Sequence, residues 1–302
     1  MIKSVKITNH LGEIVTVDLR SPEQSGFFIQ NIEGIGPSKS IINLTEVLSY
    51  DGAFYNSSRV SSRNIVFDLG FYELPNESIE TIRQKTYKFF PMKKEITIEV
   101  ETDNRVGSTT GYVESNEPDI FSKNENAIIS VLCPRAFFYG DTIQTTFSGV
   151  SGGFQFPWQN ASLTQPLLKF GDVFIDTAKS VFYTGDEETG VVVYISILGP
   201  VTNLTVHNAT RGQSMPISSA AIVAQTGAGL QAGDEIIIST LRGSKYIHLI
   251  RGGLTYNILN ALAVNADWFR IDRGDNVFTY TADSGLANLQ FLIEHRIVYG
   301  GL

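Results

Sequence analysis

Residues Trp268–Leu302 read WFRIDRGDNVFTYTADSGLANLQFLIEHRIVYGGL. From Leu289 onward, Leu289, Phe291, Ile293, Ile297 and Tyr299 are apolar while Gln290, Glu294 and Arg296 between them are polar, the period of two that marks a strand with one buried face. His295 falls on the apolar side, and Leu292 and Val298 interrupt the polar side. Upstream, Asp272-Arg273-Gly274-Asp275-Asn276 predicts a turn, Val277 to Thr281 a short strand, and Asp283-Ser284-Gly285 a second turn. The end of the chain therefore predicts strand, turn, strand behind a tryptophan, and a domain made of half-buried strands.

The rest of the composition agrees. A chain of 302 residues with 42% hydrophobic content can fill two cores or one large all-β core. Its 18% charged residues fall below the usual share, while 27 glycines, 19 phenylalanines and 12 tyrosines favour strands and turns over helices. A formal net charge of -8 argues against a protein that grips nucleic acid through its phosphates. The amino terminus alternates like a strand and shows no signal-peptide core, and no apolar run reaches the length of a membrane span. The expectation is a protein with neither a nucleic-acid nor a membrane partner.

Along the chain, Val5 and Ile7 with Ile14, Val15 and Val17 flank the turn His10-Leu11-Gly12 and predict an opening hairpin. Gly26 to Tyr50, which contains Gly34-Ile35-Gly36-Pro37-Ser38, reads as a loop. This loop lacks the Gly-Lys-Ser/Thr of a phosphate-binding loop. Asn64 to Phe71 predicts a strong strand. Ser78 to Pro91 predicts one helix, capped by Ser78, stopped by Pro91, and carrying Ile79, Ile82, Phe89 and Phe90 on one face. Ile96 to Val100, Tyr112-Val113 and Ala127 to Cys133 complete an antiparallel β domain with one packed helix, closing near residue 135.

Residues 136–170 are rich in aromatics and glycine, and stay open between a linker, a loop packed by its own side chains and a capping strand. Beyond them Val191 to Leu198, Val201 to His207, Glu235 to Thr240 and Tyr246 to Arg251 predict strands, with a hairpin turn at Arg242-Gly243, and Leu254 to Ala263 a short helix. The expected fold is mainly β: domain 1–135 as described, and domain 136–302 a β-sandwich.

Chemistry is thinly represented. His10, His207, His248 and His295 are isolated, with no partner at ligand spacing. The acidic groups at Asp172 and Asp176, Asp186-Glu187-Glu188, and Asp272 with Asp275 read as hydrated turns, because none has calcium-loop spacing. Cys133, the single cysteine, lies in an apolar run and reads as a buried side chain rather than a nucleophile. Arg273-Gly274-Asp275 reads as part of a turn rather than an adhesion ligand. No catalytic, cofactor or metal residues are expected, and no cofactor.

Two sets of residues, in order along the chain, resemble the siphovirus distal tail protein family. The carboxyl-terminal set is Trp268, Gly274, Asn276, Phe278, Tyr280, Gly285, Leu289, Ile293, His295 and Tyr299; the upstream set is Gly52, Asn56, the run Arg63 to Phe71, and Pro91. With the strand pair Ile96 to Ser115, the resemblance covers most of the chain. It implies a structural virion protein, not an enzyme, assembled in the bacterial cytoplasm and placed at the tail tip. There, six copies would form a ring through the first domain, joining the tail tube protein to tail-tip and tail-associated proteins. It also implies a galectin-like second domain outside the ring. The alternative is a carbohydrate-binding β-sandwich module or adhesin, with Trp158, Trp268 or Tyr299 stacking on a sugar; packing is the preferred role for these rings.

Overall fold

The computed structural model describes residues 1–46, 48, 51–121, 125–152 and 171–302, with the backbone alone at 148–152 and 171–175. The chain divides into two compact units, Met1–Asp141 with Val298–Leu302, and Thr142–Ile297. The division expected near residue 135 thus falls a few residues later, and the last five residues return to the first unit.

Unit 1 opens with β1 (Ile2–Thr8) and β2 (Ile14–Asp18), the predicted hairpin. Then come β3 (Phe27–Glu33), β4 (Ser40–Glu46), β5 (Ala53–Val60), β6 (Arg63–Phe71), the helix α1 (Ile79–Phe89), β7 (Glu95–Thr102), β8 (Val106–Asp119), β9 (Asn126–Cys133) and the start of β10 (Phe138–Thr146). All pairings are antiparallel. The 14-residue strand β8 serves three neighbours, β7 and the start of β10 along its first half and β9 along its second, with a bulge between Val113 and Ser115. One ladder thus runs β2-β1-β7-β8 and another β3-β6-β9-β8. Val5, Ile7, Phe67, Leu69, Ile98 and Ile129 fill the core they enclose, all but unexposed. The helix covers this core as its sequence predicts: Ser78 Oγ accepts from the Thr81 amide, and Ile82, Thr86 and Phe90 are buried.

The stretch expected to be a loop differs. Among its described residues, β3 and β4 occupy most of the stretch, with irregular chain at 34–39, a bend at Gly26 and a turn at Leu48. A bulge between Ile29 and Asn31 breaks the alternation of β3, and β4 has no buried face, so neither shows the period of a half-buried strand.

Unit 2 holds β11 (Ser148–Gly152), β12 (Gly171–Ile175), β13 (Ala178–Tyr183), β14 (Val192–Ile197), β15 (Thr205–Asn208), β16 (Gln213–Pro216), the helix α2 (Ser219–Thr226), β17 (Glu235–Leu241), β18 (Ser244–Arg251), β19 (Leu254–Asn257), β20 (Gly274–Thr281) and β21 (Leu289–Tyr299), whose end re-enters unit 1. Within the unit one sheet runs β19-β18-β17-β14-β21 and a second β13-β20-β15-β16. Their inner faces share a core: Ile195, Ile236, Leu249 and Phe291 from the first meet Tyr183, Val206, Met215 and Phe278 from the second. This is a two-sheet sandwich.

The opening stretch is central to it. In β21, Leu289, Phe291, Ile293, His295 and Ile297 are buried, as the alternation predicts. Phe291 stacks on Tyr280 of β20 at 3.9 Å between centroids. Asn276 closes the predicted turn, its amide donating to the Asp272 carbonyl at 2.7 Å and its oxygen accepting from the Asp272 N–H at 3.1 Å. Gly285 has φ +78°, and a β-carbon there would sit 2.0 Å from the Pro200 oxygen, so only glycine fits.

Three expectations for unit 2 need correction. Leu254 to Ala263 is not a helix; Gly252 and Gly253, both at positive φ, turn the chain back into β19, and a single 3-10 turn follows at Leu259–Ala261. The strand expected from Val201 begins only at Thr205, because Asn203 turns the chain with φ +49°. The helix α2 escaped notice, although Ser218 caps its start and Gly227, left-handed at φ +78°, ends it.

Candidate interaction surfaces

The most unusual element is the β4–β5 ribbon of unit 1. It pairs from Ser40↔Val60 to Glu46↔Ala53 with one bulge where the register shifts between Asn43 and Leu44, a length of about 23 Å for seven residues. Every residue of both strands is exposed. The exposed side chains include Tyr55 at 64%, Ile42 at 57%, Leu44 at 56% and Phe54 at 53%. Its own side chains hold the ribbon across its width, Asn43 to Ser57 at 2.9 Å and Asn56 to Thr45 at 2.5 Å. An isolated two-stranded ribbon is marginal in water, and this one carries apolar groups where a soluble ribbon carries charge.

The ribbon is rooted firmly. Ser61 donates to the Lys39 carbonyl through its amide and hydroxyl at 3.1 and 2.9 Å, and Ser38 Oγ donates to Ala136 O at 3.2 Å. Two residues beyond, Arg63 is buried at 2% exposure. Its guanidinium donates to Ala136 O at 2.9 and 2.8 Å, Gly300 O at 2.7 Å, Gly36 O at 2.5 Å, and Gly34 O, and lies 4.4 Å from the centre of the Phe138 ring. Burial pushes its pKa down. Four carbonyls from three separate stretches of unit 1 thus converge on one cation. Gly34 makes this possible, since at φ +83° a β-carbon would lie 1.9 Å from the Asn64 oxygen. Arg63 and Asn56 belong to the upstream motif of the sequence, which signalled the strand but not the clamp.

Of the three rings considered for sugar stacking, two belong to the described residues. Trp158 lies outside the described residues. Trp268 is half-buried against the unit 2 core, with the Lys245 ammonium 5.0 Å from its ring centre. Tyr299 packs against the unit 1 core, with the Arg105 guanidinium at 4.6 Å.

The titratable groups are dispersed. Among the described residues no group of three or more His, Cys, Asp and Glu side chains could hold a metal ion. His207 meets Thr281 Oγ1 at 3.1 Å, and His248 stacks on Tyr246 at 4.4 Å. His295 is 2% exposed, its ring nitrogens have no hydrogen-bond partner among the described residues, and the Tyr183 ring meets it edge-on at 5.5 Å. Burial pulls its pKa down. Cys133 is buried and its thiol is pushed up to about 11, the reverse of an activated nucleophile. No helix among the described residues is long and apolar enough to cross a membrane.

No protein-family model matches the chain, and no curated protein matches it. Solved structures do. Chains of the phage P2 baseplate, in its activated conformation with Ca and with Sr, align over 98% and 97% of this chain and the same shares of theirs, at 14% identity, with TM-scores of 0.47 and 0.45. The Dit protein of phage SPP1, described as a paradigm of the hub adsorption apparatus in phages infecting Gram-positive bacteria, aligns over 98% of this chain and 99% of its own at 11% identity, with a TM-score of 0.63. The chain is thus similar in fold, along nearly its whole length, to the SPP1 Dit protein.

Proposed function

We infer that this chain is a structural protein of a phage tail tip, a distal tail hub component rather than an enzyme. Unit 1 closes a ring of copies, six by the resemblance in its sequence, that joins the tail tube to the tail-tip apparatus, and unit 2 lies outside that ring. The likeness in fold to a hub protein supports the reading, and the β4–β5 ribbon carries it. A rooted ribbon with Ile42, Leu44, Phe54 and Tyr55 exposed is a surface built to be covered. In a closed ring one surface of each copy meets a different surface of the next, so a ribbon projecting from one copy and lying on its neighbour suits that geometry. The buried, deactivated Cys133 and the dispersed histidines agree with a structural role.

Negative-stain images of the purified protein at high concentration test this. Closed rings of uniform diameter are expected. A protein that stays monomeric at every concentration, and also when mixed with tail-tube and tail-tip proteins, contradicts the reading.

A further inference from the structure

The β4–β5 ribbon has two faces of different chemistry. Its pairing puts Ser40 opposite Val60, Ile42 opposite Ser58 and Leu44 opposite Tyr55 on one face, and Ile41 opposite Arg59, Asn43 opposite Ser57 and Thr45 opposite Phe54 on the other. A regular ladder would set Leu44 against Asn56 and turn Tyr55 to the second face; the bulge leaves Asn56 as the extra residue and brings Tyr55 beside Leu44. Val60, Ile42, Leu44 and Tyr55 therefore form one exposed apolar strip about 14 Å long, with the Tyr55 hydroxyl 2.8 Å from Ser58 Oγ. On the second face the Asn43–Ser57 and Asn56–Thr45 hydrogen bonds occupy the centre and separate Ile41 from Phe54.

Unit 1 carries a second exposed apolar patch, on the outer face of its sheet. Along β9, Ile128 at 47% and Leu132 at 42% exposure alternate with Ile129 and Val131, which fill the core. Register sets Tyr112 of β8, 44% exposed, opposite Leu132, and the half-buried Val66 of β6 opposite Ser130. The Ser130 hydroxyl lies 3.0 Å from both Asn64 Oδ1 and Glu114 Oε2, so the polar group inside the patch is already engaged. The patch covers three neighbouring strands and runs about 14 Å along β9, the length of the strip on the ribbon.

A single copy leaves both surfaces exposed, so the strip does not lie on its own patch. Strip against strip, related by a twofold axis, would close after two copies and leave the patch uncovered. Strip against the patch of a following copy covers both and repeats from copy to copy, the heterologous contact that a ring requires. Sheets pack face to face about 10 Å apart through interdigitating apolar side chains, and these two surfaces supply them. We propose that the apolar face of the ribbon, Val60, Ile42, Leu44 and Tyr55, packs on Val66, Ile128, Leu132 and Tyr112 of the next copy, with the Asn43–Ser57 face turned away from the contact. This docking rests on the ring proposed above and names the side of the ribbon and the surface of the neighbour that close it.

Two variants of the full chain block opposite halves of the contact. Ile42→Lys charges the strip and keeps the patch; Leu132→Asp charges the patch and keeps the strip. Both side chains are exposed, and Ile128→Asp repeats the second arm should Leu132→Asp fail to fold. Sedimentation at a concentration where the parent forms rings is the measurement. Each variant alone is expected to lose its ring fraction tenfold or more and to sediment as a monomer. An equal mixture is expected to give at least a one-to-one complex, because the intact strip of one variant meets the intact patch of the other. Ser57→Lys, on the second face, leaves the ring fraction within twofold. A parent that forms no ring overturns the ring and this docking together. A parent that forms rings while either variant assembles as it does, variants that stay monomeric when mixed, or a Ser57→Lys chain as dispersed as Ile42→Lys overturns the docking and leaves the ring standing.

Discussion

The ribbon β4–β5 and the strand β21 are both antiparallel, both rich in apolar side chains, and opposite in what surrounds them. In β21, Leu289, Phe291 and Ile293 are buried between two sheets of their own chain. In the ribbon, Ile42, Leu44, Phe54 and Tyr55 meet solvent. Burial of such side chains is worth about 2 kcal/mol each, so β21 collects that energy on folding, whereas the ribbon leaves it uncollected until something covers it. A run of apolar residues states that a surface is to be covered; whether the chain or another molecule covers it is a separate matter. On the function proposed above, one region is a folding element and the other an assembly element, and substitutions separate the two.

The largest effect falls on the folding side. Phe291→Ala empties the space against Tyr280 and Phe147 and is expected to cost about 3 to 5 kcal/mol, read as a lower melting temperature of the unit 2 transition with unit 1 unchanged. A loss under about 1 kcal/mol shows that β21 is not the centre of that core. Next comes Arg63→Met, which keeps the bulk and leaves the carbonyls of Gly34, Gly36, Ala136 and Gly300 without their donor. Unit 1 is expected to lose at least about 3 kcal/mol by denaturant unfolding, and an unchanged midpoint removes the clamp from the account.

A smaller, pH-dependent effect comes from His295. Its folded pKa is depressed by burial, so below the ordinary value of about 6.5 the unfolded chain takes up a proton that the folded one refuses. The stability of unit 2 is then fully present above about pH 6.5 and falls by up to about 1.4 kcal/mol per pH unit below it, until the folded pKa is reached. His295→Phe flattens this slope in melting curves between pH 7 and 5. A slope unaltered by the substitution assigns the acid sensitivity elsewhere.

How much of this was legible in the sequence follows the same contrast. Strands with one buried face announced themselves: Arg63–Phe71, Glu95–Thr102 and Leu289–Tyr299 alternate because one side of each meets a core. The helix Ile79–Phe89 carried its cap, its stop and its apolar face in the sequence. The ribbon had no such signal, since a strand exposed on both faces is under no pressure to alternate, and β4 read as loop. The Arg63 clamp was hidden because its partners are backbone carbonyls up to 237 positions away, which no side-chain pattern encodes. The return of Val298–Leu302 to unit 1 is likewise a long-range fact.

The central claim, that the ribbon serves assembly and not folding, rests on one direct comparison. Ile42→Lys with Phe54→Lys places two charges on side chains that are already exposed, so the unfolding free energy of the separate chain is expected to stay within about 0.5 kcal/mol of the parent. Sedimentation of parent and variant at equal high concentration is the measurement. The account predicts a ring-sized species for the parent and a folded monomer for the variant. A variant that sediments as the same ring, or one that loses its fold along with its partners, contradicts it.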